Sequence, residues 1–131
     1  MIKECAHFKE FSLTEQGILL ASALARKYEV ERILLEAEQP STKSFFLLLS
    51  GSMKVLTPGG ETEKLLQPGE LIGEIGVVNP KAKRTRTIVT AEPSEVLLWD
   101  FAQIQELEPE FADKLQGEIE RTAFDRISQD M

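Results

Sequence analysis

The sequence predicts one mainly β domain, a sandwich or barrel of strands with helices at both ends. Between Tyr28 and Trp99, short apolar or alternating runs are separated by turn-forming residues roughly every ten positions. Most of the intervals are too short for a crossover helix, which argues against a parallel sheet. At 131 residues the chain is long enough for one core and too short for two. The strand-like runs are 28–35, 45–49, 53–56, 63–66, 87–91 and 95–99.

The first part of the chain, residues 1–27, is predicted to be helical. Ser12 and Glu15 have the spacing of a capping box, in which a hydroxyl and a carboxylate satisfy exposed backbone N–H groups reciprocally. Apolar residues then follow at helical spacing and fade by Lys27, namely Ile18, Leu19, Ala23 and Leu24.

The last part of the chain, residues 100–131, is also predicted to be helical. Asp100 with Gln103 resembles a second helix start, and Pro109 suits a first helical position. An amphipathic helix is expected from about Glu108 to Ser128. Its apolar stripe, expected to pack on the strands or on a second copy, is Phe111, Leu115, Ile119, Ala123, Phe124 and Ile127.

The composition excludes several classes of function. Fifteen Lys and Arg against 22 Asp and Glu give a net charge of −7, which disfavours nucleic acid polymers and anionic membrane surfaces as partners. His7 and Cys5 are the single histidine and cysteine, so a metal site, a disulfide or a histidine-rich metalloenzyme barrel is not expected. A lone cysteine and the absence of a membrane-spanning apolar run favour a cytoplasmic protein. No linker interrupts the chain, so residues 1–131 are interpreted as one domain.

One segment, from Gly69 to Thr87, departs from this ordinary pattern. Three glycines lie within eight residues and four cations within six. Gly73 permits a positive φ or a close backbone approach, and an arginine can clamp phosphate oxygens in a bidentate manner. A carboxylate such as Glu74 repels phosphate but accepts hydrogen bonds from a neutral hydroxyl, such as a ribose 2′-OH. A phosphate joined to a sugar is the ligand that these residue types favour.

These motifs resemble those of cyclic nucleotide-binding domains. Residues 46–55 resemble the hydrophobic-Gly-x-hydrophobic-x-Val hairpin of that family. Residues 72–76, Ile-Gly-Glu-Ile-Gly, resemble its phosphate-binding cassette, and residues 83–87 its closing arginine segment. The resemblance spans about residues 11–107, and the order of helices, strands and cassette agrees with it.

The resemblance implies a double-stranded β-helix, or jelly roll, that binds cAMP or cGMP without turning it over. The protein would then be a regulatory module and no enzyme, with no cofactor besides that ligand. Glu74 would bind the ribose 2′-OH, and Arg84, ten residues later, the exocyclic phosphate oxygens. Gly73 and Ile75 would supply backbone contacts, and Thr85 a hydroxyl. Ligand binding would be relayed to the C-terminal helix, where a protein partner or a second copy would dock.

The chain also departs from the family pattern at three positions. Family members usually carry glycine where this sequence has Glu31 and Gln39, and a small residue where it has Arg86. Arg86 could crowd the nucleotide, act as a second phosphate ligand, or, like Arg84, be a solvated charge on an edge strand. These departures leave open a second hypothesis, a domain that has lost its ligand and serves in protein interaction or dimerisation. Trp99 is predicted to be a core residue, with stacking on a purine as the alternative.

Overall fold

The computed structural model describes residues 11–35, 44–73 and 86–130, with side chains up to residue 121. The helices within these ranges are α1 (Leu13–Ser22), α2 (Phe101–Leu107) and α3 (Pro109–Asp130). The strands are β1 (Leu24–Tyr28), β2 (Ile33–Leu35), β3 (Ser44–Ser50), β4 (Met53–Leu56), β5 (Thr62–Leu66), β6 (Leu71–Ile72), β7 (Thr87–Thr90) and β8 (Ser94–Asp100).

The described strands form two antiparallel sheets of four. The first sheet has the order β1-β8-β3-β6, and the second has the order β2-β7-β4-β5. This architecture confirms the predicted fold class, a mainly β jelly roll with flanking helices. The predicted barrel is corrected in one respect, since no ladder joins the two sheets within the described residues. The edge strand β6 has only two residues, both paired with β3, and is too short to extend the first sheet toward the second.

The first sheet is covered on both faces, and β3 shows why its sequence is continuously apolar. Phe45 and Leu47 belong to a helix-facing cluster, whereas Phe46 and Leu48 belong to an inter-sheet cluster. A strand buried on both faces has no polar side to alternate with, so the run reads as Phe-Phe-Leu-Leu-Leu. The helix-facing cluster consists of Phe11, Leu19, Phe45, Leu47, Leu71, Leu97, Trp99, Phe101, Ile104, Phe111, Ala112, Leu115 and Ile119. The inter-sheet cluster consists of Phe46, Leu48, Met53, Val55, Leu66, Ile72 and Val96.

Trp99 is a core residue, as predicted. It is fully buried in the helix-facing cluster and stacks on Phe45 with ring centroids 5.1 Å apart. Its Nε1 donates a 2.7 Å hydrogen bond to the carbonyl of Leu19 near the end of α1. The indole ring is therefore buried and its N–H group has a hydrogen-bond partner, both inside the protein. This excludes the alternative that Trp99 stacks on a purine.

Helix α1 begins as predicted but ends earlier. The capping box is complete, with the Ser12 hydroxyl accepting from the Glu15 N–H at 3.1 Å and the Glu15 carboxylate accepting from the Ser12 N–H at 2.8 Å. The prediction that helix extends to residue 27 is wrong, because residues 24–28 form β1 and pair with β8 from Leu24↔Leu98 onward. Pairing with β8 gives these residues backbone hydrogen bonds, and this outweighs their weak preference for a helix.

The C-terminal helices pack as the sequence predicts. The Asp100 carboxylate accepts from the Ala102 N–H at 3.0 Å and caps α2. Helix α3 begins at Pro109, and Phe111, Leu115 and Ile119 are buried in the helix-facing cluster. The stripe from Ala123 onward lies beyond the described side chains.

An ion pair joins the first and last helices. Lys114 on α3 donates a 2.7 Å hydrogen bond to the Glu15 carboxylate on α1, which lowers the pKa of that carboxyl below its ordinary value. Next to this pair, the rings of Phe11 and Phe111 meet edge to face at 5.5 Å. Together these contacts fix the start of α3 on the same side of the first sheet as α1.

Candidate ligand-binding site

A tight turn positions the strand that leads into the predicted cassette. The Glu70 N–H donates to the Gln67 carbonyl at 3.2 Å, with Pro68 and Gly69 between them and Gly69 at φ +97°. Proline followed by a positive-φ glycine is the pattern of a type II turn. Two backbone hydrogen bonds join this turn to β3, one from Gly69 to the Leu48 carbonyl and one from Leu48 to the Glu70 carbonyl. The chain is therefore held against the first sheet when it enters β6.

Gly73 directly follows β6 and has φ +84°. The sequence left open a positive φ or a close backbone approach at this position, and the structure shows the positive φ, at which a residue with a Cβ would be strained. The two residues before it are fully buried on opposite faces of the sheet, Leu71 in the helix-facing cluster and Ile72 in the inter-sheet cluster. Gly73 thus ends β6 at a bend, directly after two fully buried residues.

Four of the predicted ligand residues, Glu74, Ile75, Arg84 and Thr85, lie outside the described residues. Their roles remain predictions. The structure does fix where their segment begins and ends, since β6 belongs to the first sheet and β7 to the second. Residues 74–85 therefore connect the two sheets.

The remaining predicted residue, Arg86, lies directly before β7 and contacts a carboxylate. Its Nε donates a 2.9 Å hydrogen bond to Oε2 of Glu63 on β5, and the two side chains are 38% and 45% exposed. The contact lowers the pKa of Glu63 and raises the pKa of Arg86, so both groups stay charged at neutral pH. Glu63 was not predicted as a site residue. Glu63 and Lys64 show that the first part of β5 is charged, but the partner of Glu63 follows only from the sheet order.

Glu31, like Arg86 a departure from the family pattern, has a backbone conformation that favours glycine. Glu31 has φ +62°, the one positive φ among the non-glycine residues that the structure describes. The neighbouring backbone is held by the buried Thr90, whose hydroxyl accepts from the Arg32 N–H at 2.8 Å and donates to the Glu29 carbonyl at 2.6 Å. Gln39, the remaining departure from the family pattern, lies outside the described residues.

Two other kinds of functional feature, a metal site and a membrane-spanning helix, are absent from the described part of the chain. No group of three or more His, Cys, Asp or Glu residues there could hold a metal ion. None of the described helices is both long and apolar enough to cross a membrane. A groove of about 450 Å³ between α1 and α2 is lined by apolar residues that include Ile18, Leu24 and Ile104. This groove lies among the helices, whereas Gly73 and Arg86 lie where segment 74–85 joins the sheets.

Solved structures share this fold at low sequence identity. The N-terminal domain of a transcriptional regulator from Streptomyces coelicolor A3(2) has a TM-score of 0.76 at 20% identity, covering 99% of this chain and 94% of that chain. The regulatory subunit of a cAMP-independent protein kinase A from Trypanosoma brucei has a TM-score of 0.76 at 13% identity, covering 98% and 44%. The regulatory domain of Toxoplasma gondii PKA, crystallised with cAMP, has a TM-score of 0.71 at 16% identity, covering 86% and 44%. These likenesses concern the fold.

Sequence comparison identifies the family. No curated protein sequence matches this chain. The sequence model of the cyclic nucleotide-binding domain matches residues 25–108, which is more than half of the chain and extends from β1 through α2. The chain therefore belongs to the cyclic nucleotide-binding domain family.

Proposed function

We propose that this chain is a non-catalytic regulatory module that binds a cyclic purine mononucleotide, cAMP or cGMP, between its two sheets. The observation that carries the proposal is the geometry at the ends of segment 74–85. A positive-φ glycine, Gly73, opens the segment at the end of the first sheet, and a cation, Arg86, closes it at the start of the second. The cassette-like sequence lies between these two anchors, as the family membership leads us to expect.

Each proposed ligand residue has a separate chemical role. Arg84 binds the exocyclic phosphate oxygens, because a guanidinium presents two parallel donors to a phosphate. Glu74 accepts from the ribose 2′-OH, and Thr85 donates its hydroxyl. Gly73 and Ile75 supply backbone contacts, since a glycine lets the ligand approach the chain closely.

The route by which ligand binding would reach the C-terminal helix begins at β6. Leu71 lies two residues before Gly73 and packs in the same buried cluster as Phe111 and Leu115 of α3. A shift of the cassette that moved β6 would change the packing beneath α3, and so favour one of two helix positions. We propose that α3 then presents a changed surface to a protein partner or a second copy, in the cytoplasm.

Calorimetric titration with cAMP and cGMP tests the ligand assignment. Replacing Arg84 with Leu is expected to weaken binding at least about tenfold, since a charged hydrogen bond contributes ~1.5–3 kcal/mol. Lys81→Leu is the matched control, because it removes one positive charge from the same segment but no proposed phosphate contact. Equal affinities for Arg84→Leu and the wild type would contradict the assignment.

A second candidate function is a domain that keeps the fold without the ligand and acts in protein interaction or dimerisation. The Glu63–Arg86 ion pair favours it, because a carboxylate of the protein already pairs with a cation beside the proposed phosphate site. Thermal unfolding separates the two candidates, since a ligand at a hundred times its Kd adds ~2.7 kcal/mol to stability. A rise in Tm with cAMP or cGMP supports the sensor, and no rise with either nucleotide or with cyclic dinucleotides supports the interaction module.

A further inference from the structure

Arg86 and Glu63 form an ion pair at the edge of the space between the two sheets. Residues directly opposite each other in a sheet share a face. Ile88 on β7 lies opposite Val55, and Thr90 lies opposite Met53. Val55 and Met53 belong to the inter-sheet cluster, so alternate residues of β7 face the first sheet. Continuing this alternation one step backwards places Arg86 on the same side.

Glu63 reaches Arg86 from an irregular point in β5. Val55 lies opposite Lys64 and Leu56 lies opposite Thr62, so the register passes over Glu63. The extra residue at such a bulge has no partner opposite it, so its side chain need not follow the alternation of the strand between the two faces of the sheet. The bulge therefore brings a carboxylate of β5 to the guanidinium, although β4 lies between β5 and β7 in the sheet.

We infer that Glu63 is an internal counter-ion that competes with a bound phosphate for Arg86 and thereby lowers the affinity of the module for its ligand. The inference rests on the proposed function and adds a positioning residue to it. A phosphate approaching Arg86 would place two anions on one guanidinium, and the carboxylate would repel it. The phosphate can then bind Arg86 only when the hydrogen bond between Arg86 and Glu63 breaks.

The competition is expected to be modest in size. Both side chains are partly exposed, and ion pairs between exposed groups change an equilibrium by about fivefold or less. Such a contact is strong enough to shift the ligand concentration at which the module responds, yet weak enough for a ligand to displace. Glu63 would thus set the sensitivity of the site while Arg84 supplies most of the phosphate recognition.

Titration of the full chain with cAMP and cGMP, comparing Glu63→Gln with the wild type, tests the inference. Glu63→Gln keeps the shape of the side chain and removes its charge, and is expected to tighten binding by about threefold to fivefold. Glu61→Gln is the matched control, because it removes the same charge two residues away from an exposed position and is expected to leave the affinity unchanged. In an Arg86→Leu background, Glu63→Gln is expected to have no effect, since the cation that it frees is gone.

The outcomes separate this inference from the proposed function. Tighter binding by Glu63→Gln alone supports the inference, and so does binding by that variant when the wild type shows none. Equal or weaker binding by Glu63→Gln overturns the inference, since Glu63 would then not compete with the ligand for Arg86. It leaves the proposed function standing, since the nucleotide would still bind. Absence of binding by every variant overturns the proposed function and the inference with it. Unfolding curves of each variant confirm that the compared proteins are folded.

Discussion

Of the described residues at positive φ, Gly51 and Glu31 lie in two turns between strands and differ in whether they carry a side chain. The turn between β3 and β4 has Gly51 at φ +87°, and the turn between β1 and β2 has Glu31 at φ +62°. A Cβ on Gly51 would lie 2.4 Å from Oγ of Ser94 and 2.5 Å from the carbonyl oxygen of Pro93. Glu31 is exposed, and its carboxylate contacts Lys54 at the surface.

The difference between the turns shows that two constraints select glycine and that they can act separately. At Gly51 both apply, because the backbone is left-handed and neighbouring backbone atoms fill the place of a side chain. At Glu31 only the first applies, so a side chain is tolerated at the cost of strain. Glycine at the first turn belongs to the hairpin motif seen in the sequence, whereas the second turn departs from the family pattern.

The largest effect is expected for Gly51→Ala. The new methyl group combines left-handed strain with overlap against a backbone carbonyl that cannot rotate away, and the expected loss of stability is about 3 kcal/mol or more. Urea unfolding measures it. Gly60→Ala is the control, since Gly60 also has φ +87° but no atom within 4 Å of its Cβ position. It is expected to lose about 1 kcal/mol, and equal losses at the two sites would show that the contact with Pro93 and Ser94 contributes nothing.

The next largest effect is expected for Thr90→Val, which removes the hydroxyl that holds the Glu31 turn. The substitution leaves the Arg32 N–H and the Glu29 carbonyl without this partner, and the loss of these part-buried hydrogen bonds is expected to cost about 1 kcal/mol. Amide exchange at Arg32 should accelerate along with the loss of stability. Thr90→Ser keeps the hydroxyl and should retain slow exchange at Arg32. Slow exchange in Thr90→Val together with fast exchange in Thr90→Ser would mean that the methyl group, and not the hydroxyl, holds the turn.

Sequence reasoning succeeded where the determinants are local in the chain. The capping box at Ser12, strand β4 and the start of α3 at Pro109 each depend on residues a few positions apart, and the structure confirms them. The positive φ at Gly73 also follows from one residue type in one motif.

Sequence reasoning failed where a distant segment decides the structure. Residues 24–27 read as helix until β8 provides a ladder, and β6 is too short to show a periodicity. The contact of Arg86 with Glu63 depends on the sheet order, which places β5, β4 and β7 side by side. The residues at the centre of the proposed site, 74–85, gave the clearest motif in the sequence, and the function proposed for them stays a prediction.

The smallest effect is expected for Glu31→Gly, and its sign is opposite to that of the others. Glycine relieves left-handed strain of ~1–2 kcal/mol but adds unfolded-state entropy of about 0.5–1 kcal/mol and loses an exposed ion pair. The expected net result is a gain of about 0.5 kcal/mol, measured by urea unfolding. Glu31→Ala is the matched control, because it also loses the contact with Lys54 but keeps a Cβ, and it should gain nothing. If both variants lose the same stability, the ion pair rather than the backbone determines the cost of this turn, and Thr90 then holds an arrangement that carries little strain.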